Sequence, residues 1–245
     1  MIRISPAYRA PSGPPRWTIV VPFKGGAAAK SRLGQGPTGV PGFRSDVRRQ
    51  LALAFLCDTV GAAAAVPDVA RVIVVSSDPA LVAAVPGIVL VSDPGQGLNA
   101  AAAAGIQWAR KQAPDRAVAI LAGDLPCLEP GDLTVALALA ARHPLSLVPD
   151  RHGTGTTLLT AQPGTEVTPR FGQHSCDAHR RLGHTVLPLP TASTLRHDVD
   201  TIADLDLAMG IGVGGYTRST VLHQLPSAYG GQPADKGLAP LPAAG

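Results

Sequence analysis

Cysteine is scarce in this sequence. Its three cysteines, Cys57, Cys127 and Cys176, lie far apart and form no Cys-x-x-Cys pair. Such spacing argues against a disulfide framework and a thiolate zinc site, and a reducing cytoplasm is the expected setting. Long apolar runs are missing too: none reaches the ~18 residues that span a bilayer. The opening MIRISPAYRAPSGPPR lacks the apolar core of a signal peptide. Lysine is rare, 4 against 17 arginines, while alanine, glycine and proline abound, as in a GC-rich genome. The net charge of +4 is too mild to call for nucleic acid and suits small acidic molecules equally well. No internal repeat is present.

What is present is enough apolar sequence, 45% of 245 residues, to bury a sizeable core. Residues 1–16 read as a flexible arm and 224–245, rich in Pro, Gly and Ala, as a disordered tail. One domain, 17–223, is expected between them. Its strand candidates are 17–23, 71–76, 88–91, 117–122, 145–149, 156–160 and 185–189. Several are apolar throughout, as strands buried on both faces should be. Helix candidates are 46–65, with Ser45 as its N-cap, then 97–113, 130–142, 175–183 and 201–210. The alternation predicts an α/β fold, a mostly parallel sheet with helices on both faces. Ligands of such sheets sit beyond the carboxyl ends of the strands.

Three common nucleotide and hydrolase signatures are absent. No Gly-x-Gly-x-x-Gly follows the first strand, and no Gly-x-Ser-x-Gly occurs. In VPFKGGAAAKSRL, residues 21–33, the Lys30-Ser31 pair fits the end of a P-loop, but Lys24 and Ala29 replace both of its glycines. Lys24, Lys30 and Arg32 remain, so the stretch is either a loop that grips a triphosphate through side chains or a basic surface loop.

Five further stretches carry polar groups at element ends. In AILAGDLPCL, Asp124 follows a buried strand, placed to hold Mg²⁺ or to cap the turn before Pro126. In RHDVDT, Asp198 and Asp200 are two apart and face one side of an extended segment. Carboxylates that close favour a cation between them, although Asp200 is also a candidate N-cap for the next helix. PDRHGTGTTLL reads as a hairpin turn or as an anion cradle with Thr154 and Thr156. In PRFGQHSCDAHRR, Gly172 precedes Ser175 at a helix entry, a phosphate site or an ordinary cap above a solvated basic face of His179, Arg180 and Arg181. In DPGQGLNAAAAAG, Leu98 and Asn99 open a helix, where Asn99 either reads a nucleotide or caps.

Taken in order, VPFK…AKSRL, GLN, GDLP, DRHGTGT, RFG-x-x-S and R-x-DVDT resemble the phosphoenolpyruvate and 2-phospho-L-lactate guanylyltransferases of coenzyme F-420 biosynthesis, over about residues 19–222. The resemblance implies a nucleotidyltransferase fold of the kind found in nucleotide-sugar pyrophosphorylases. It also implies transfer of GMP from GTP to a small phosphorylated three-carbon acid, with Mg²⁺. It places the metal on Asp124, Asp198 and Asp200, and the acceptor on Thr156, Gly172 and Ser175. By the same resemblance Lys24, Lys30 and Arg32 are expected to hold the GTP phosphates and take part in catalysis, with Leu98 and Asn99 also toward the nucleotide. Gln173-His174 and Cys176-Asp177 depart from the family, which usually has a proline and small residues there. The composition leans the acceptor toward phosphoenolpyruvate. Two other readings are a molybdenum-cofactor or sugar-phosphate nucleotidyltransferase, whose Gly-Gly-x-Ser-x-Arg loop is not matched by Gly25-Gly26, and a GTP-binding module without turnover.

Overall fold

A computed structural model describes residues 17–25, 31–35, 42–225 and 229, without the side chains of Ser31 and Arg32. The expected arm and nearly all of the expected tail lie outside these residues.

A seven-stranded sheet organises the chain in the order β3-β2-β1-β4-β6-β5-β7. The strands are β1 (Trp17–Pro22), β2 (Val69–Ser76), β3 (Val89–Ser92), β4 (Ala117–Leu121), β5 (Leu145–Pro149), β6 (Thr156–Ala161) and β7 (Thr185–Val186). β1 runs parallel to both β2 and β4, with Val20 level with Ile73 on one side and Ile120 on the other. Only β6 runs against the rest, pairing antiparallel with β4 and with β5. The fully apolar run AVAIL became the central strand β4, buried throughout, as is every residue of β6 despite its three threonines. The expected strand at 185–189 is only two residues long, because Pro188 cannot donate to a ladder.

The helices are α1 (Ser45–Ala64), α2 (Leu81–Ala84), α3 (Leu98–Gln112), α4 (Pro130–Ala140), α5 (Ser175–Arg181), α6 (Ile202–Ile211) and α7 (Gly215–Gln224). α1 and α4 cover one face of the sheet, packing Leu56, Val60, Leu133 and Leu137 on Ile19, Val21 and Val74. α3 covers the other, with Ala102, Ile106 and Ala109 against Val20, Ile73 and Val75. A third cluster joins Leu51 and Phe55 of α1 to Val199, Leu205 and Val221. None of the described helices is long and apolar enough to cross a membrane.

Two expected caps are corrected. Ser45 is the first helical residue of α1; Arg44 holds the cap position, no side chain caps it, and Asp46 of the first turn pairs with Arg44 instead. Thr201, rather than Asp200, caps α6. Its hydroxyl accepts from the Asp204 N–H, and the Asp204 carboxylate accepts from the Thr201 N–H, a capping box that satisfies two end donors at once. α7 was not anticipated. Its first amides are satisfied by a carboxylate from α1: Tyr216 and Thr217 donate their N–H groups to Asp58 at 3.1 and 2.8 Å.

α3 sits unusually close to the sheet. A Cβ on Gly105 would lie 2.3 Å from Val20 Cγ1 and 2.8 Å from Val75 Cγ2. Helix propensity alone makes Gly→Ala stabilising by about 1 kcal/mol. Here the packing clash reverses that sign, so Gly105→Ala is expected to lower stability by about 1–3 kcal/mol in urea unfolding. A gain in stability would show that α3 is free to move off the sheet.

Candidate active site

The order of strands reverses between β1 and β4, and a cavity of about 560 Å³ opens beyond their carboxyl ends. Pro22 closes β1 at its edge, and residues 120–124 line it at the end of β4. Gly123 is needed there: a Cβ would meet Val21 Cγ1 at 3.0 Å and Leu56 Cδ1 at 3.3 Å. Asp124 follows, with its peptide held on two sides. Thr59 of α1 accepts the Leu125 N–H at 3.0 Å, and the Asp124 carbonyl accepts the Val199 N–H at 3.0 Å.

That second bond carries the distant Asp198–Asp200 segment to the end of β4. Val199 points into the third apolar cluster and is 1% exposed, while Asp198 and Asp200 line the cavity with Asp124. The i, i+2 expectation therefore holds, although the segment is a loop stretch rather than a strand end. None of the three aspartates is without a partner. As these side chains stand, no three acidic, histidine or cysteine groups among the described residues form a closed metal cluster.

A second wall is formed by the β5–β6 hairpin and the entry to α5. Thr154, Gly155 and Thr156 line the cavity, so this turn is both a hairpin and part of the site. Asp150 builds it, accepting the Thr154 N–H at 2.9 Å. Gly155 has no room for a side chain, since its Cβ would lie 2.6 Å from Asp150 Oδ2. Arg196 donates to the Asp150 carbonyl at 3.0 Å, and Arg151 pairs with Asp204 of the α6 capping box. The hairpin is thereby tied to the segment that carries Asp198 and Asp200.

Gly172, Gln173, His174 and Ser175 complete this wall. Gly172 has φ +130°, which an L side chain rarely adopts, and His174 sits in the left-handed region at φ 58°. His174, not Ser175, holds the cap position of α5; Ser175 is its first helical residue and is buried. His179 corrects the expected basic face: Arg180 and Arg181 are exposed, but His179 is 0% exposed. Its Nδ1 lies 3.0 Å from Thr156 Oγ1, and its Nε2 accepts the Arg170 N–H at 2.8 Å.

The expected nucleotide contacts are distributed differently. Leu98 lines the cavity and is 48% exposed. Asn99 makes no side-chain cap. It accepts the Phe171 N–H at 2.7 Å and donates to the Phe171 carbonyl at 3.1 Å, locking α3 to the 171–175 wall. Lys24 is exposed, two residues beyond β1, and does not line the cavity. Lys30 lies outside the described residues, and Arg32 falls in a short 3-10 turn, Ser31–Gly34, with its side chain outside them. Sequence reasoning missed Asp150, Arg151, Arg196 and the pairing of His179 with Thr156. Only Asp150, at the start of a Gly-rich turn, carried a local signal.

Burial pushes the thiols of Cys57 and Cys127 up to about 12, so both are inert. Burial also lowers His179 to about 4, helped by His184 and Arg170. A histidine depressed in the fold adds stability above its unfolded value near 6.5 and loses it as pH falls toward 4. His179 should account for up to about 3 kcal/mol of acid sensitivity in that window. The check is urea unfolding of parent and His179→Gln at pH 7 and pH 4.5. Equal losses in both proteins would place the acid-sensitive group elsewhere.

Comparison with known proteins shows the family. The model of a family described as "Guanylyl transferase CofC like" matches residues 17–218. A phosphoenolpyruvate guanylyltransferase from Streptomyces coelicolor is 44% identical over 213 residues, covering 86% of this chain and 98% of its own. One from Geodermatophilus obscurus is 44% identical over 206 residues, covering 83% and 93%. Among solved structures, 4-diphosphocytidyl-2C-methyl-D-erythritol synthase superposes with a TM-score of 0.56 at 13% identity, covering 80% of this chain and 99% of that one, a likeness of fold. The chain belongs to the family of CofC-like guanylyl transferases, and so to the nucleotidyltransferases.

Proposed function

We propose that this protein transfers GMP from GTP to phosphoenolpyruvate and releases diphosphate, the activity named for its relatives, with Mg²⁺ as its metal. The observation that carries the reading is the meeting of two chemistries in one cavity. Asp124, Asp198 and Asp200 line it together with Thr156, Gly172 and Ser175. The donor set suits the metal: Mg²⁺ takes hard oxygen ligands, one or two carboxylates together with substrate phosphates. Asp124, Asp198 and Asp200 are the residues to hold it. When bound, it offsets the charge of the phosphates and withdraws electrons from the α-phosphorus.

The nucleophile is the acceptor's phosphate monoester. Its second pKa is about 6, so it is mostly dianionic at neutral pH and needs no general base. A bond forms between one of its oxygens and the α-phosphorus of GTP. The bond from that phosphorus to the bridging oxygen of the β-phosphate breaks, and diphosphate leaves. The protein's task is to hold two anions in line. Thr156, Ser175 and the backbone at Gly172 position the acceptor. Leu98 at the rim takes apolar surface of the nucleotide. Lys24, which does not line the cavity, would reach the triphosphate at its outer end, and Lys30 and Arg32 are assigned to it by their place in the sequence after β1. Asn99 acts at one remove, by fixing the Phe171 backbone beside Gly172.

Incubation with GTP, Mg²⁺ and phosphoenolpyruvate should release diphosphate, and 2-phospho-L-lactate should serve less well. No release with either acceptor would overturn the reading. Asp124→Asn, Asp198→Asn and Asp200→Asn keep shape and remove charge, so each should fold normally and lose roughly 100-fold or more in turnover. Parental turnover of all three at low Mg²⁺ would move the metal elsewhere. Ser175→Ala should raise the KM of the acceptor while leaving that of GTP unchanged. The opposite pattern would reassign this wall to the nucleotide.

A further inference from the structure

His179 is the most buried titratable group beside the cavity, and the proposed chemistry does not use it. Both ring nitrogens are engaged. Nε2 is 2.8 Å from the Arg170 N–H, a group that can only donate, so Nε2 accepts and carries no proton. A neutral imidazole must then hold its proton on Nδ1. Nδ1 faces Thr156 Oγ1 at 3.0 Å, which makes the threonine oxygen the acceptor of that pair. The hydroxyl proton of Thr156 is left over. Among the described residues, no other group bonds to Oγ1, and Thr156 lines the cavity.

The ring is held so that this order cannot easily reverse. Phe171 packs on it edge-on, at 5.2 Å between centroids and 72° between planes, and His184 lies 5.5 Å away. His184 donates from Nδ1 to the His179 carbonyl at 3.1 Å and fixes the end of α5. Arg170 begins the 170–175 wall, so one ring joins that wall to β6.

We infer that His179 is a positioning residue: through its Nδ1–H it fixes the Thr156 hydroxyl as a hydrogen-bond donor toward the anionic group of the acceptor substrate. This deepens the proposed function and rests on its placement of the acceptor at Thr156. The selectivity follows from the chemistry. A fully ionised phosphate or carboxylate offers only acceptor oxygens, and a threonine locked as a donor matches it. A freely rotating hydroxyl would present a lone pair part of the time and repel the same group.

The test separates this role from packing. His179→Gln can place its amide oxygen near the Nε2 position and keep the Arg170 bond, but it removes the donor to Thr156. It should raise the KM of phosphoenolpyruvate about tenfold to a hundredfold, the value of one bond to a charged group, with the KM of GTP unchanged. Thr156→Val should do the same. The double variant His179→Gln/Thr156→Val should be no worse than Thr156→Val alone, since both changes remove one interaction. Multiplying effects, or equal rises in both KM values, would overturn the proposal. Proton–nitrogen correlation spectra of the histidine-labelled parent give a second readout independent of turnover and of variant folding. The His179 ring should be neutral and protonated on Nδ1 at pH 7; protonation on Nε2 overturns the proposal. The functional reading fails separately. A parent that binds phosphoenolpyruvate, loses that affinity in both single variants, yet releases no diphosphate would refute guanylyl transfer and support the role of His179.

Discussion

One backbone hydrogen bond, from the Val199 N–H to the Asp124 carbonyl, decides where the acidic side of the cavity forms. It joins the end of β4 to a segment 75 residues further along the chain. The bond would be weak alone, worth about 1 kcal/mol net. It is made durable by what surrounds it. The Val199 side chain is buried among Phe55, Leu205 and Ala208, so turning the segment over would put valine into the cavity and two carboxylates into a core. The capping box of α6 fixes the chain direction immediately afterwards, and Asp58 secures α7 behind it. Hydrophobic burial supplies the energy, and the hydrogen bonds supply the register.

The second wall depends on the first through Asp204. That carboxylate closes the α6 capping box and also pairs with Arg151 of the hairpin turn. Arg196, just before Asp198, reaches the Asp150 carbonyl in the same turn. Two arginines are thus committed to structure rather than to substrate. Such pairs are worth little when exposed, but these are partly buried and link the elements that carry the two walls of the site. Arginine suits the role, since its planar fork can bond to a carbonyl or carboxylate with little loss of freedom.

How much was legible beforehand follows from the range of the interactions. β4 is a continuous apolar run and β1 nearly one, both buried almost throughout, and their identity was local. So was the pairing of Asp198 with Asp200, because alternation about a buried valine is a property of three residues. α7 was not legible: GYTRSTVLHQ has several β-branched residues and a weak apolar pattern, and its amides are satisfied by Asp58, 158 and 159 positions away. Asn99 looked like a cap because asparagine at a helix start usually is one. Its partner, the Phe171 backbone, is 72 residues distant. His179 was read with Arg180 and Arg181 as a basic surface, since three cationic side chains in a row suggest solvent. The helix turns about 100° per residue, and that rotation put the histidine inside and the arginines outside.

The two walls also differ in how they treat charge. The acidic wall gathers three carboxylates, a charge that a cation accompanying the substrate would offset in the proposed reaction. The second wall contains no carboxylate other than Asp150 among the residues that line it, and Asp150 accepts from the Thr154 N–H within its own turn. Beside Gln173 and His174, that wall presents the hydroxyls of Thr156 and Ser175 and backbone around Gly172 and Gly155. Neutral donors held rigidly are well suited to an anion that must also attack. A lysine or arginine placed directly on the acceptor phosphate would bind it more tightly in the ground state and hold back the charge needed for bond formation. Fixed dipoles instead orient the anion without neutralising it, and they need no reorganisation as charge moves toward the α-phosphorus. Such dipoles work only if they cannot turn away. The two hydrogen bonds between Asn99 and the Phe171 backbone, and the bond from the Arg170 N–H to His179, restrict the wall in that sense. In the proposed reaction between two anions, the rigidity of the one wall and the charge of the other are complementary.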